Sequence, residues 1–194
     1  MFIEPHIGKS GTKKASGPGW IEVITGSMFS GKTEELIRRL NRAMIAKQQI
    51  EIFKPVIDTR YDKTNVVSHN QKMARSTAVN FANDILLLSG ACDVVGIDEA
   101  QFFDDQLVDV CTKLANNGKR VIIAGLDMDF SGKPFGAMPA LMCVAEYITK
   151  VHAICMVCGA VASYSYRLTN NDEKVMLGEK ESYEARCRKC FFKK

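Results

Sequence analysis

The chain has 194 residues, of which 46% are hydrophobic and 25% charged, the ordinary composition of a folded soluble protein with one domain-sized core and a small appendage. This balance excludes a chain that is disordered throughout. The net charge of +4, from 26 basic and 22 acidic residues, is modest and comes partly from lysines near both ends, so it does not indicate a nucleic-acid-binding surface.

The first 19 residues are rich in glycine, lysine and serine and show no hydrophobic periodicity, so we expect residues 1–19 to form a flexible N-terminal arm. They also have no apolar core of the kind found in signal peptides, and no apolar run in the chain approaches the ~20 residues that cross a membrane. We therefore expect a cytoplasmic protein with no membrane partner.

Eight residues between a predicted strand (20–25) and a predicted helix (32–47) match the phosphate-binding P-loop. They are Gly26, Ser27, Met28, Phe29, Ser30, Gly31, Lys32 and Thr33. Glycine at the first and sixth positions lets successive backbone N–H groups turn toward phosphate, Lys32 can reach the outer phosphates, and the Thr33 hydroxyl is placed to bind Mg²⁺. A chance Gly/Ser turn is the alternative, but the flanking strand and helix are the context that the motif requires.

Residues 50–55 are predicted to form a second strand, ended by Pro55, which completes a β-α-β unit. Residues 56–72 are polar and predict a long loop, a feature that is often functional. Arg60 lies just beyond the carboxyl end of the strand, where a cation could meet phosphate, but a solvated loop arginine explains it equally well on local grounds. His69, further along the loop, is interpreted as an exposed side chain.

An acidic pair ends the next buried strand. After a weak strand (73–79) and an amphipathic segment (80–89), an apolar strand (92–97) runs into Asp98 and Glu99. This is the Walker-B arrangement, in which Asp98 would hold Mg²⁺, usually through water. Glu99 could then accept a proton from an attacking hydroxyl or water. A solvated turn is the alternative, and the upstream P-loop favours the metal and base roles.

Four phenylalanines are predicted to gather near the phosphates. A helix over 104–117 and a buried strand over 119–126 lead into a loop over 127–136 that emerges at the same sheet edge. The four are Phe102 and Phe103, close behind the acidic pair, and Phe130 and Phe135 in the loop. Loop aromatics usually anchor a loop to the core, but a flat ligand such as a nucleobase would also use such faces.

Two C-x-x-C pairs near the C-terminus predict a structural zinc site. A helix over 138–147 and a strand over 148–153 lead into the first pair, and a hairpin strand (160–167) and a polar loop (168–182) follow it. The ligands would be Cys155, Cys158, Cys187 and Cys190. The 28 residues between the pairs give the spacing of a closed, tetrahedral four-cysteine site with no open position for catalysis. A redox C-x-x-C would be single and would precede a helix in a thioredoxin-like context.

Three further cysteines, Cys92, Cys111 and Cys143, lie singly in apolar or helical segments. We expect all three to be small core residues, which is the commonest fate of a free cysteine.

The P-loop, the Walker-B pair and the four-cysteine site, in this order, make the chain from about Trp20 to Lys194 resemble the thymidine kinase family of the cytosolic, tetrameric kind (type II). Five other segments of this chain also resemble signatures of that family. They are Phe53-Lys54-Pro55 with Asp58-Thr59-Arg60-Tyr61, Gly96-Ile97-Asp98-Glu99-Ala100-Gln101-Phe102-Phe103, Ala124-Gly125-Leu126-Asp127 with Phe130, Lys133-Pro134-Phe135-Gly136, and Glu181-Ser182-Tyr183-Glu184-Ala185-Arg186-Cys187.

The resemblance implies an α/β fold with a RecA-like P-loop core and a mostly parallel sheet, plus a small C-terminal zinc-binding domain with a lasso loop that closes over the base. We accordingly divide the chain into the flexible arm (1–19), a P-loop nucleotide-binding domain (20–153) and a four-cysteine lasso domain (154–194).

The resemblance also implies transfer of the γ-phosphate of ATP to the 5′-hydroxyl of thymidine or deoxyuridine, with Glu99 as the catalytic base. The ATP- and phosphate-binding positions would be Gly26 to Thr33, Arg60, Asp98 and Gln101. The thymidine-binding positions would be Met28, Phe102, Leu126, Phe130, Phe135, Met176, Gly178 and Tyr183. The cofactors would be structural zinc and Mg²⁺ with ATP, the latter held by Thr33 and Asp98. A homotetramer and feedback inhibition by dTTP are further implications.

Two other classes of P-loop protein fit less well. A nucleic-acid-stimulated ATPase with DNA- or RNA-gripping zinc knuckles predicts a basic, aromatic stripe, and beyond Arg186, Arg188, Lys189 and the terminal lysines no such stripe is present in the sequence. A regulatory GTPase predicts an N-K-x-D guanine-reading motif, which the sequence does not contain. The sequence therefore favours a nucleoside kinase without a nucleic-acid partner.

Overall fold

The computed structural model describes residues 18–57, 65–67, 73–169 and 182–193, and for 65–67 and 73–75 it describes the backbone alone. The predicted site residues Arg60, Met176 and Gly178, together with His69 and residues 1–17 of the predicted arm, lie outside the described residues.

The strands, in chain order, are β1 (Trp20–Thr25), β2 (Ile50–Pro55), β3 (Asn65–Val67), β4 (Met73–Arg75), β5 (Thr77–Val79), β6 (Val94–Ile97), β7 (Arg120–Gly125), β8 (Tyr147–Lys150), β9 (Ala153–Ile154), β10 (Val161–Ala162), β11 (Tyr164–Arg167) and β12 (Tyr183–Arg186). The helices are α1 (Lys32–Ile45), α2 (Ala82–Leu88), α3 (Leu107–Asn116), α4 (Met138–Val144) and α5 (Arg188–Phe192), with one short 3-10 helix at Ala100–Phe102.

A six-stranded sheet in the order β5-β2-β6-β7-β1-β8 forms the centre of the molecule, and every neighbouring pair in it is parallel. Its inner strands β6 and β7 are buried along their whole length, as expected for parallel strands covered on both faces. The α/β class and the mostly parallel sheet predicted from the sequence are confirmed.

Successive residues of the inner strands face opposite sides of the sheet. Val94 and Ile122 pack with α1, which buries Leu36, Ile37, Leu40 and Ala43 at helical spacing. Val95 and Ile123 belong to a second core cluster, with residues of α2, α3 and α4. The sheet is therefore the middle of three layers, and the carboxyl ends of its strands meet at one edge.

The predicted weak strand over 73–79 is two strands in different sheets. β4 pairs antiparallel with β3, inside the region predicted to be a loop, whereas β5 pairs parallel with β2 at the edge of the main sheet. Pairings of three residues leave too short a hydrophobic pattern for the sequence to reveal. Similarly, the predicted helix over 138–147 ends at Val144, because its last three residues lead into the edge strand β8.

The C-terminal unit consists of the β9–β10 hairpin, the antiparallel β11–β12 pair and α5. Ala153, Ala162 and Ala185 pack with three of the paired cysteines in a small core cluster. β12 and α5 were not predicted, because each spans only four or five residues next to a cysteine pair.

Two of the three single cysteines occupy the core as predicted, since Cys92 and Cys111 are buried and burial raises the pKa of both thiols. The prediction for Cys143 is wrong, because that side chain is exposed. Met138 and Leu141 are the buried residues of α4, and Cys143 lies on the other face of this short helix.

Candidate active site

The P-loop joins the carboxyl end of β1 to the first turn of α1. Gly26 has φ of 147°, and a Cβ atom there would lie 2.2 Å from the carbonyl oxygen of Val151. Gly31, immediately before α1, has φ of 85°. Both positions therefore require glycine for the loop to turn as it does. The N-terminus of a 14-residue helix then points into the loop, and its free N–H groups and dipole favour an anion.

Two side chains brace the loop from within. Ser30 Oγ and Lys32 Nζ donate hydrogen bonds to the carbonyl oxygen of Ser27, at 2.7 and 2.8 Å. The Lys32 ammonium is thus held over the loop, where it can meet the outer phosphates of a nucleotide.

The predicted Walker-B pair lies beside the P-loop. β6 ends at Ile97 and is separated from β1 by a single strand, β7, so Asp98 reaches the same sheet edge. Thr33 Oγ1 donates to Asp98 Oδ2 at 3.2 Å. A hydroxyl and a carboxylate are hard oxygen ligands of the kind that Mg²⁺ prefers, so these two residues fit a magnesium ion bound with nucleotide.

Glu99 has a left-handed backbone, with φ of 52° and ψ of 40°, and its N–H donates to Asp98 Oδ1 at 3.0 Å. This conformation is uncommon outside glycine, and such residues cluster at functional sites. It turns the chain between β6 and the 3-10 helix and places Glu99 on the wall of a cleft.

The cleft brings some of the predicted phosphate-binding residues together with two of the predicted nucleoside-binding residues. Its lining residues are Met28, Phe29, Gly31, Lys32, Thr33, Glu34, Glu99 and Leu126. Met28 and Leu126 supply apolar surface, Lys32 and Thr33 supply phosphate- and metal-binding groups, and Glu99 supplies a carboxylate. A phosphate donor and an apolar acceptor could therefore meet in one cavity beside a base.

Gln101, predicted to bind ATP or phosphate, has its side chain buried behind Glu99. Its Nε2 donates to Glu99 Oε2 at 2.5 Å, and its Oε1 accepts the N–H of Leu126 at 2.9 Å. The sequence alone offered no sign of these two contacts.

The members of the predicted aromatic group differ in burial, and none of them is among the described residues that line the cleft. Phe102 and Phe135 are half-buried and meet edge to face, with ring centroids 5.6 Å apart. Phe103 instead packs in the main core cluster, which is the alternative that the sequence left open for these aromatics. Together with Ala100, it anchors the segment after Glu99 to the core.

The loop that carries Phe130 is shaped by a buried carboxylate. Asp129 Oδ1 accepts the Ser131 N–H, the Ser131 hydroxyl and the Lys133 N–H at 2.8, 2.7 and 3.1 Å. A short polar side chain bonded to the following backbone closes a tight turn. The turn gives Phe130 a defined place at the sheet edge.

Arg167, at the end of β11, joins Phe130 to Tyr183 and was missed by sequence reasoning. Its guanidinium carbon lies 3.6 Å from the centroid of the Phe130 ring. Its Nε and one terminal nitrogen donate to the Tyr183 hydroxyl at 3.1 and 2.7 Å. An arginine stacked on an aromatic ring and bonded to a phenol fixes both partners.

A second missed contact connects the C-terminal unit to the P-loop. The Met28 N–H donates to Ser165 Oγ at 3.0 Å, and Phe29 packs against the cluster that contains the paired cysteines. Neither Ser165 nor Arg167 belongs to a local motif, because each acquires its role only through contacts distant in sequence.

The four paired cysteines form one cluster. The sulfur atoms of Cys155, Cys158, Cys187 and Cys190 all lie within 4.8 Å of one another, and those of Cys158 and Cys187 are 3.6 Å apart. Tetrahedral zinc with Zn–S bonds of ~2.3 Å requires sulfur–sulfur distances of about 3.8 Å, so the cluster fits a structural zinc ion.

Proton sharing among these thiols is uneven. The backbone N–H of Cys187 lowers the pKa of Cys155 to about 6, whereas the hydrogen bond with Cys158 raises the pKa of Cys190 to about 12. Binding of a metal by four thiolates would release the protons that these thiols still hold.

Within the described ranges, no helix is long and apolar enough to cross a membrane.

Comparison with known proteins assigns the chain to a family. The family model described as thymidine kinase matches residues 19–191. A thymidine kinase from a Rhodothermus species is 60% identical over 191 residues, covering 98% of this chain and 88% of the relative. Those from Bacteroides thetaiotaomicron and Porphyromonas gingivalis are 57% and 61% identical, covering 100% and 90% of this chain and 94% and 86% of the relatives. The family model and these near-complete alignments agree with the cleft and the four-cysteine cluster, and the chain belongs to the thymidine kinase family.

Proposed function

We propose that this protein is a thymidine kinase that transfers the γ-phosphate of ATP to the 5′-hydroxyl of thymidine or deoxyuridine, giving the nucleoside monophosphate and ADP. The observation that carries the proposal is a cleft lined by Lys32, Thr33 and Glu99 together with the apolar residues Met28 and Leu126. The family membership makes ATP and thymidine the first substrates to test.

The P-loop would hold the triphosphate through its backbone N–H groups and Lys32. Thr33 and Asp98, already within hydrogen-bond distance of each other, would hold Mg²⁺. When bound, Mg²⁺ neutralises charge that develops on the transferred phosphoryl group. Arg60 would add a second cation near that phosphate.

Glu99 would accept the proton of the 5′-hydroxyl as it attacks phosphorus. Phosphoryl transfer needs mainly positioning and charge neutralisation, and a carboxylate within reach of the hydroxyl completes the site. The left-handed backbone and the bond from Gln101 hold Glu99 on the cleft wall.

The thymine pocket would be built from two sides of the cleft. Apolar and aromatic side chains would enclose the flat base, and Tyr183 would contact the sugar. The described members of this set are Met28, Phe102, Leu126, Phe130, Phe135 and Tyr183; Met176 and Gly178 would complete it from the lasso.

The four-cysteine site would stiffen the base of that lasso. The Leu168 N–H donates to the Ser182 carbonyl oxygen at 2.9 Å, which brings the two ends of the intervening segment together. Zinc on the adjacent cysteine pairs would hold this arrangement and reduce the entropy lost when the lasso closes on the base.

We extend the proposal to the wider properties of the family type. The protein would be a cytoplasmic homotetramer, inhibited by dTTP and without a nucleic-acid partner, with domain boundaries at residues 1–19, 20–153 and 154–194. Inhibition by dTTP is chemically reasonable, because the triphosphate carries both the thymine and the phosphate groups that the cleft recognises.

The direct test supplies the purified protein with ATP labelled at the γ-phosphate, Mg²⁺ and thymidine. Label recovered on thymidine is the expected result. Label recovered only as free phosphate, and more of it when DNA is added, would favour a nucleic-acid-stimulated ATPase instead.

Glu99→Gln tests the base in the same assay. We expect kcat to fall by ~10² or more while nucleotide affinity is nearly unchanged, because the amide keeps the shape but cannot take the proton. Glu51→Gln, at an exposed position, is the matched control and should keep wild-type kcat. An unchanged kcat in Glu99→Gln would remove Glu99 from the base role.

A further inference from the structure

The buried side chain of Gln101 connects two residues that line the cleft, Glu99 and Leu126. It lies in the 3-10 helix after Glu99 and is only 3% exposed. One end of its amide contacts the Glu99 carboxylate, and the other end contacts the backbone N–H of Leu126, just after β7.

The surroundings leave this residue little freedom. A Cβ atom at Gly125 would lie 2.9 Å from Gln101 Oε1 and 2.6 Å from the sulfur of Met138. A Cβ atom at Gly136 would lie 2.3 Å from the Gln101 carbonyl oxygen. The contact at Gly136 is with backbone and could be relieved only by moving the chain, whereas the contacts at Gly125 are with side-chain ends, so Gly136 is the glycine that fixes the space around the Gln101 backbone.

The direction of the amide follows from its partners. The Leu126 N–H can only donate, so the atom facing it must be the carbonyl oxygen Oε1. The opposite atom, Nε2, therefore faces Glu99, whose ionised carboxylate can only accept. Reversing the amide would set donor against donor and acceptor against acceptor, so both bonds select the same orientation.

We propose that Gln101 is a positioning residue for the transfer reaction: its amide holds the Glu99 carboxylate at the cleft wall and sets it relative to Leu126 in the nucleoside pocket. The inference rests on the proposed kinase function. This positioning role differs from the ATP- or phosphate-binding role that the family resemblance implies for Gln101. The residue is only 3% exposed and both ends of its amide are bonded inside the protein, so little of its surface could contact a nucleotide.

The physical reason is geometric. The bond from Nε2 to an ionised carboxylate is charge-assisted, and such bonds are short and directional. Glu99 occupies a backbone region that is uncommon outside glycine, and the bond from Gln101 restrains its side chain. A displacement of about 1 Å at a reacting group can reduce turnover by ~10².

Two substitutions separate the two bonds. Gln101→Met keeps the length of the side chain but loses both. Gln101→Glu keeps an acceptor for the Leu126 N–H and, while ionised, has no donor for Glu99; because two adjacent buried carboxyl groups can share a proton, kcat of this variant is measured as a function of pH. The controls are Gln106→Met and Gln106→Glu, which make the same changes at an exposed position a few residues away.

We expect kcat for thymidine phosphorylation to fall ~10- to 100-fold in both Gln101 variants, with the KM for ATP within about twofold of wild type. The Gln106 variants should keep wild-type kcat. Gln101→Glu should also keep the KM for thymidine, because its contact with Leu126 remains.

A double-mutant cycle excludes a merely structural role. If Gln101 acts through Glu99, adding Gln101→Met to Glu99→Gln should change the residual kcat by less than about twofold, since the carboxylate that it positions is already absent. A full additional loss in the double variant would show that Gln101 acts on something else and would overturn the proposal.

The remaining outcomes are also decisive. Wild-type kcat in Gln101→Glu at the alkaline end of its pH profile, where both carboxyl groups are ionised, overturns the positioning role. A raised KM for ATP at unchanged kcat also overturns it and would restore a phosphate-binding role. If Gln101→Met does not fold, as judged by thermal unfolding, Gln101→Glu decides. Failure of the wild-type protein to phosphorylate thymidine would overturn the proposed function itself. That result is distinct from any difference between the Gln101 variants and the wild-type protein.

Discussion

Replacing Glu22 with glutamine should destabilise the protein more than any surface substitution. Glu22 lies on β1, directly before the P-loop, and its side chain is fully buried. Its carboxylate accepts one bond from Arg39 on α1 at 2.9 Å and two from Arg120 on β7 at 2.7 and 3.2 Å, and the Trp20 indole N–H adds a fourth at 2.7 Å.

The expected magnitude follows from the burial of all three charges. Arg39 and Arg120 have side chains 0% and 2% exposed, so Glu22→Gln leaves two guanidinium groups in a dry interior with less compensating charge. Removing one partner of a buried ion pair typically costs about 3–5 kcal/mol. In a chain of this size each kcal/mol lowers Tm by roughly 2–4 °C, so we expect a decrease of about 6–20 °C.

Thermal unfolding followed by circular dichroism measures this difference. Glu51→Gln is the control, because it removes the same charge from an exposed position and should change stability by less than about 0.5 kcal/mol. The decrease for Glu22→Gln should persist at high salt, since buried charges are poorly screened. A Tm within about 2 °C of wild type would refute the reasoning that this cluster depends on its carboxylate.

Two further predictions concern the C-terminal unit. Cys187→Ser should lose zinc, as measured by elemental analysis of the purified protein. The control Cys143→Ser, at an exposed position, should keep zinc. Full zinc occupancy in Cys187→Ser would reject the four-cysteine assignment. Arg167→Lys should raise the KM for thymidine by ~3- to 10-fold and change kcat less, because an ammonium group cannot reproduce the two bonds to the Tyr183 hydroxyl; steady-state kinetics with an unchanged KM would contradict a role for Arg167 in shaping the nucleoside pocket.

Local chemistry made much of the site predictable. The P-loop turn requires glycine at two positions, and this requirement can be recognised from the neighbouring residues alone. Gly26 and Gly31 do adopt positive φ. The spacing of the cysteine pairs reflects the geometry of one metal ion, and the four sulfur atoms do converge. In both cases the physical constraint acts over a few residues, so it leaves a pattern in the sequence.

The parts that escaped prediction depend on contacts between distant segments. Gln101 bonds to Leu126, 25 residues away, and the Met28 N–H bonds to Ser165, 137 residues away. Neither contact imposes a residue spacing that could be recognised beforehand. Cys143 shows the converse problem, since a helix of seven residues has too few turns for its buried face to be read from hydrophobicity alone.

The P-loop contacts both the cleft and the C-terminal unit. Gly26 packs against Val151, Lys32 and Met28 line the cleft, and the Met28 N–H donates to Ser165 Oγ. Most P-loop backbone N–H groups would turn toward phosphate. The Met28 N–H instead donates to the hydroxyl of Ser165 on β11. Under the proposed function, this one short loop would contact both the phosphate donor and the nucleoside. A change in the C-terminal unit that moves Ser165 should therefore affect how the phosphate donor is held as well as how the base is recognised.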